Sequence, residues 1–299
     1  YRPQSLEDLI GQPHIVTTLQ NAIRENRVAQ SFLFVGSRGV GKTSTARIIA
    51  KILNCQRRGN KDTAPCNTCA SCIEITNGTS LDVLEIDGAS NRGIDEIRNL
   101  RENVKFKPAS GIYKVYIIDE VHMLTQEAFN ALLKTLEEPP VHVKFIFATT
   151  EPHRVLPTII SRCQRYDFRR ITTVEIAESL QALAKKEQIK ITDEAVFAIA
   201  KTAEGGMRDA QSTLDQIANY TNSEITLEII ETMLGFTNEK TYIHIVKAIA
   251  EKNTHEALTL IQRVVNEGKD LRDFNKGLLE IFRDIMILKT VAEPVKLID

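Results

Sequence analysis

Eight consecutive residues, Gly36-Ser37-Arg38-Gly39-Val40-Gly41-Lys42-Thr43, read GxxxxGKT. Glycines at that spacing let backbone N–H groups curl around a chain of phosphates, and a helix starting at the lysine adds the positive end of its dipole. Such a cradle runs from Gly36 to Ser44, with Lys42 reaching the β- and γ-phosphates of a nucleoside triphosphate and the Thr43 hydroxyl holding Mg²⁺. The motif means little without context. Here the strand-like run SFLFV precedes it and the helical run TSTARIIAKIL follows, which is the setting it requires. A second pattern, Val115-Tyr116-Ile117-Ile118-Asp119-Glu120, is an apolar strand ending in two carboxylates. A buried parallel strand delivers its last residues to the carboxyl edge of the sheet, where ligands sit in open α/β folds. Asp119 would complete the Mg²⁺ shell and Glu120 would polarise the attacking water. By itself an Asp-Glu pair reads more simply as a solvated strand end; the phosphate loop upstream favours the chemical reading.

Cys55-x10-Cys66-x2-Cys69-x2-Cys72 supplies four thiolates within 18 residues. They suffice to close a tetrahedral zinc shell with no open position, which makes the site structural rather than catalytic. CxxCxxC also opens a ferredoxin-type iron-sulfur run, but that run continues with x3 and Cys-Pro, and this one does not. Unliganded reduced thiols are the third reading. Cys163 lies too far along the chain to be counted as a ligand.

These groups need a scaffold. Strand signals fall at 31–35, 82–86, 113–118, 143–148 and 165–168, all near-continuously apolar, as a parallel sheet covered on both faces requires. Helical spacing fills 13–26, 42–54, 93–104 and 125–137, the last stopped by Pro139-Pro140. After Thr172 the strand signals cease. Apolar residues at 3- and 4-residue spacing then mark helices at 174–187, 193–203, 208–220 and 227–234. Phe236-Thr237-Asn238 interrupts the pattern, and further helical stretches follow at 239–251, 254–267 and 270–290. The expected division is an α/β nucleotide-binding domain over 1–171, a small helical domain over 172–235 and a further helical segment over 236–299.

The 299 residues include 38 Lys plus Arg against 39 Asp plus Glu, a net charge of -1, so no bulk field draws in nucleic acid and any such contact is a local patch. No apolar run approaches a membrane span and the start carries no signal peptide, so a soluble cytoplasmic protein without a membrane partner is expected.

Taken together, the motifs resemble the gamma/tau subunit family of bacterial DNA polymerase III clamp loaders, which are AAA+ ATPases. The resemblance covers essentially the whole chain. It rests on Tyr1-Arg2-Pro3 with Leu9-Ile10-Gly11-Gln12, the phosphate loop, the four-cysteine insertion at 55–72, Asp119-Glu120-Val121-His122-Met123-Leu124, the segment LKTLEEPP, Ala148-Thr149-Thr150-Glu151-Pro152, Ser161-Arg162-Cys163 and Gly206-Met207-Arg208-Asp209. The zinc insertion together with Ser-Arg-Cys narrows the match from the superfamily to this subunit.

The resemblance implies a five-stranded parallel AAA+ sheet, a helical lid and part of a helical collar, with ATP, Mg²⁺ and Zn²⁺ as cofactors. It also implies residue roles. Ile10 joins the nucleotide-binding residues; Thr149 or Thr150 is the first sensor; Arg208 is the second sensor, carried by the lid; Arg162 is an arginine finger acting on a neighbour's ATP. Asn91 and Arg92, at the start of the helix after the second strand, would meet the DNA backbone. Expected partners are the other clamp-loader subunits of delta and delta-prime type, the sliding clamp and primed DNA. A non-hydrolysing subunit of the same ring and a branch-migration motor are the rivals; Lys42, Thr43, Asp119 and Glu120 speak against the first, and the cysteines with Ser161-Arg162-Cys163 against the second. The chain opens on Tyr1 rather than Met and holds fewer collar helices than the family, so it is expected to be a trimmed form that associates weakly and bares an apolar carboxyl-terminal patch.

Overall fold

In the computed structural model the described residues are 2–59, 61–91, 93–221, 223–235 and 239–291. Five strands, β1 (Ser31–Val35), β2 (Val83–Asp87), β3 (Lys114–Asp119), β4 (Val143–Thr149) and β5 (Gln164–Asp167), form one all-parallel sheet in the order β2-β3-β4-β1-β5. Side chains alternate across a strand, so a strand covered on both faces must be apolar at every position. β1 and β4 are buried throughout. Phe32 and Phe34 of β1, with Val115 and Ile117 of β3, turn to one face, and Leu33 and Val35, with Tyr116, Ile118, Phe145 and Phe147, to the other. β2 and β5 depart from the expected double burial: each lies at a rim of the sheet and is partly exposed.

Helices α1 (Pro13–Arg24) and α2 (Lys42–Asn54) contribute to the first core, and α4 (Ile94–Asn103), α5 (Gln126–Glu137) and the short α6 (Pro157–Ile160) to the second. α5 starts where the Thr125 hydroxyl accepts the Ala128 N–H and stops at the two prolines. At the end of the cysteine insertion starts α3 (Ala70–Asn77), which the sequence reading did not anticipate. The remaining helices are α7 (Thr173–Lys186), α8 (Asp193–Thr202), α9 (Met207–Tyr220), α10 (Leu227–Leu234), α11 (Glu239–Ala250), α12 (Thr254–Asn266) and α13 (Leu271–Thr290), each within a residue or two of its expected span. The break at Phe236-Thr237-Asn238 lies outside the described residues.

The chain divides into two compact units. One comprises Tyr1–Ala182 and Ala200–Thr213 and holds the sheet, α1 to α6 and the first turns of α9. The other comprises Leu183–Ile199 and Leu214–Asp299 and is helical, with a small core of Tyr242, Ile245, Val264 and Phe274. On α13, Leu279 and Met286 remain 70% and 66% exposed. Among the described residues no helix is long and apolar enough to cross a membrane.

Candidate functional site

β1 ends at Val35, beside Thr149 of β4, and the chain leaves the sheet there as the loop Gly36–Gly41. Gly39 has φ +78°, and a Cβ on it would come within 3.0 Å of the Gly206 backbone, so a side chain is excluded on both conformational and steric grounds. That approach seats the loop against the start of α9 and brings Arg208, in its first turn, to the phosphate loop. Leu9 packs over Gly41, and Ile10 is the next residue, half-buried. Val40 anchors the loop in the core, Arg38 faces solvent, and Ser44 is half-buried in the first turn of α2.

Lys42 is buried, and its ammonium donates to the carbonyls of Gly36 and Ser37, both at 2.8 Å. Burial holds its pKa below the ordinary lysine range, while the carboxylates of Glu120 and Asp119 pull the other way. The Thr43 hydroxyl donates to Asp119 Oδ2 at 2.5 Å. The hydrogen bond brings together a hydroxyl and a carboxylate, the hard-oxygen groups that phosphate-loop proteins offer to Mg²⁺.

Glu120 follows β3 in a left-handed conformation, φ 45° and ψ 46°, unusual for a residue with a side chain. Gly88, at the end of β2, donates its N–H to the Asp119 carbonyl at 2.8 Å, and a Cβ there would stand 2.6 Å from the Glu120 carbonyl. The acidic pair is thus clamped by backbone. Glu120 Oε2 accepts the Thr150 hydroxyl at 3.3 Å. Thr149 is fully buried, its hydroxyl 2.9 Å from His122 Nδ1 and 3.0 Å from the Glu151 N–H that it accepts. Two adjacent threonines therefore face different partners.

Arg162 is not part of this constellation. Its guanidinium donates to Glu137 Oε1 at 2.7 Å and to the Thr158 carbonyl at 2.8 Å. Glu137 ends α5, a 12-residue helix, so Arg162 lies at the carboxyl end of that helix, about 18 Å along it from its start at Gln126. Asn91 folds back, its amide donating to the Asp87 carbonyl at 3.1 Å, and Arg92 lies outside the described residues.

The sulfurs of Cys55, Cys66, Cys69 and Cys72 all lie within 4.8 Å of one another. With bonds of about 2.3 Å, a tetrahedral zinc sets its sulfurs about 3.8 Å apart, so the four fit one ion. Backbone N–H groups support the thiolates: Cys66 donates to Cys55 Sγ, and Cys69 to Cys66 Sγ, each at 3.3 Å. The hydrogen bond from the Thr68 N–H is the first cause that draws the Cys66 thiol down to about 5. Cys163 stands apart, packed into the core, its thiol pushed up to about 12 by burial.

Sequence reasoning overlooked several residues. Lys51 is 2% exposed, and its ammonium reaches Gln4 Oε1 and Asn67 Oδ1, both at 2.7 Å, tying α2 to the cysteine insertion and to the amino-terminal segment. Arg2 is depressed first by burial and next by the Arg47 cation, with Glu85 opposing and Arg208 adding to the fall, which places it in the charge environment of the second-sensor candidate. Its position in Tyr-Arg-Pro was the available signal. His122 stands in the acidic motif but carried no assigned role.

A phosphate loop on a central parallel strand, an acidic pair two strands away and an arginine-bearing helix returning to the loop define an AAA+ fold. Solved structures of Thermotoga maritima RuvB, one titled a Holliday junction branch migration motor, share it with a TM-score of 0.56 and 19% identity over 84% of this chain and 80% of theirs. Residues 11–172 match the family described as DNA polymerase III, delta subunit; residues 175–223 match the clamp loader subunit ATPase lid domain, and residues 225–297 domain III of subunits gamma and tau. DNA polymerase III subunit tau of Bacillus subtilis is 47% identical over 99% of this chain and 53% of its own length. The gamma subunit of Buchnera aphidicola is 39% identical over 97% of this chain and 79% of its own, and tau of Escherichia coli 40% over 90% and 41%. The chain belongs to the gamma/tau family of DNA polymerase III clamp-loader subunits. It spans about half the length of the Bacillus relative.

Proposed function

We propose that the protein is an ATP-driven motor subunit of a bacterial clamp loader, which couples ATP binding and hydrolysis to opening a sliding clamp and placing it on primed DNA. The observation that carries this reading is the Lys42, Thr43, Asp119 and Glu120 constellation in a gamma/tau chain. Lys42 and the loop from Gly36 to Ser44 bind the phosphates, with Ile10 among the nucleotide-binding residues, and Thr43 with Asp119 would hold Mg²⁺, which would supply charge neutralisation to the phosphates. Glu120 takes a proton from the attacking water as its oxygen bonds the γ-phosphorus. The bridging oxygen departs on ADP with the electron pair of the broken bond, leaving inorganic phosphate. Thr150, whose hydroxyl already reaches Glu120, suits the first-sensor role better than the buried Thr149. Arg208 acts as second sensor from the start of α9.

Arg162, paired away from its own site, suits a finger completing the site of an adjacent subunit. The functional division is 1–171 for the AAA+ domain, 172–235 for the lid and 236–299 for a collar segment that joins subunits of delta and delta-prime type. Zn²⁺ in the four-cysteine site is structural. Asn91 and Arg92 would meet the DNA backbone, and the protein acts in the cytoplasm. The intact acidic pair disfavours a non-hydrolysing ring subunit. ATP turnover of the assembled complex, with clamp and primed DNA added or omitted, tests the reading: stimulation by both is expected, and turnover indifferent to both would defeat it.

A further inference from the structure

The 3-10 turn Val121–Met123 reverses the chain directly after Glu120, closed by the Met123 N–H on the Glu120 carbonyl at 2.9 Å. The turn swings His122 back onto the acidic pair. Its side chain is 5% exposed and touches three groups at once. Nδ1 lies 2.9 Å from Thr149 Oγ1 and 3.4 Å from Glu120 Oε2, and Nε2 lies 3.4 Å from Glu151 Oε1. Glu151, in turn, stands 3.5 Å from Arg154 and 3.7 Å from His153 at the surface. A buried ring with both nitrogens engaged has little rotational freedom.

We propose that His122 is a positioning residue for hydrolysis, holding the Glu120 carboxylate in one rotamer from the Nδ1 edge while Glu151 fixes the ring from the Nε2 edge. This rests on the reading of Glu120 as the group that activates water. Both the Thr150 hydroxyl and His122 Nδ1 approach Oε2, which leaves Oε1 to face a water. Thr149 sets the ring plane: its hydroxyl oxygen is fixed by the Glu151 N–H, and Nδ1 docks on that oxygen. Without the ring, Glu120 keeps its charge but gains rotamers, and only the fraction of time in the productive one supports turnover. A core histidine that merely satisfies Thr149 would instead affect stability and leave turnover alone.

The test is steady-state ATP hydrolysis by the full-length protein assembled with its partner subunits, clamp and primed DNA, alongside nucleotide affinity and melting temperature. The variants are Glu120→Gln, His122→Phe, His122→Asn and His122→Gln. Asparagine places its amide nitrogen where Nδ1 was, glutamine where Nε2 was. His122→Phe and His122→Gln should lower kcat by about tenfold or more, a share of the 10²–10⁴ a general base contributes, with KM and nucleotide affinity unchanged. His122→Asn should recover most of the rate. If the phenylalanine variant does not fold, asparagine against glutamine decides. Wild-type turnover in His122→Phe, or equal losses in asparagine and glutamine, would overturn the positioning role while leaving the ATPase reading intact. Turnover surviving in Glu120→Gln would instead remove the role of Glu120 and this proposal with it.

Discussion

Lys42 shows how one side chain serves two states of a site. It is held by two neutral loop carbonyls, and burial depresses its pKa more than Glu120 and Asp119 raise it, so a bound anion would stabilise its charge further. Lys42→Ala should therefore reduce ATP affinity by a hundredfold or more in equilibrium binding; an unchanged affinity would remove the phosphate-loop assignment. Arg162 poses the opposite question. Its pair with Glu137 is partly exposed, and such pairs contribute at most about 1 kcal/mol, so Arg162→Ala should fold and bind ATP normally. Stimulated hydrolysis in the assembled complex should fall by about 10³ or more, as for other arginine fingers. Full stimulation by an Arg162→Ala complex would show that the guanidinium serves only Glu137.

Elements transmit these requirements. The last turn of α2 carries Lys51 towards Asn67 in the cysteine insertion, and Cys55 directly follows that helix, so the metal site grows out of the same helix that begins at the phosphates. Metal analysis should find about one zinc per chain. Chelation or Cys69→Ser should speed hydrogen exchange across residues 55–77 and near Gln4, because the ion contributes folding free energy there, with ATP affinity unchanged. Iron with visible absorbance would refute zinc.

Close to Asn54, the last residue of α2, Asp82 precedes β2 and accepts the N–H groups of Ala109, Ser110 and Gly111 at 2.6, 2.8 and 2.6 Å. Burial raises its pKa, but these three donors and the Ser110 hydroxyl, at 3.1 Å, outweigh burial and bring it below the usual 3.8. A depressed carboxylate contributes stability that is fully present above its unfolded pKa and is lost as pH falls through the folded one. Asp82→Asn should cost about 1–3 kcal/mol in urea unfolding at pH 7. The difference should shrink below pH 4, where the wild-type carboxylate takes up its proton; a gap constant with pH would show that charge plays no part.

On the scale of the whole molecule, the helical unit around Tyr242 and Phe274 is small, and α13 keeps Leu279 and Met286 in solvent. Exposed apolar side chains along a helix are the common mark of an association surface. Replacing both with Glu should shift sedimentation towards monomer and lower stimulated turnover, while ATP affinity of the single chain stays the same. Unaltered assembly would place the subunit contacts elsewhere.

What was legible in the sequence is what depends on neighbours along the chain. The phosphate loop works through consecutive backbone N–H groups, the cysteine spacing is a local chelate, and Pro139-Pro140 stops a helix wherever the helix lies. Strand and helix spans followed from periodicity for the same reason. Tertiary structure decided what depends on who lies beside whom. The order β2-β3-β4-β1-β5 puts β2 and β5 at the rims, where Glu85, Arg165 and Asp167 can reach solvent. Pairing of Val35 with Thr149 ends β4 there, which buries one threonine against His122 and sends the next to Glu120. Lys51, Asn67 and Gln4 meet across 47 and 16 residues of sequence. No local propensity encodes such meetings, because they arise only when the sheet closes its register and buried polar groups must find partners inside it.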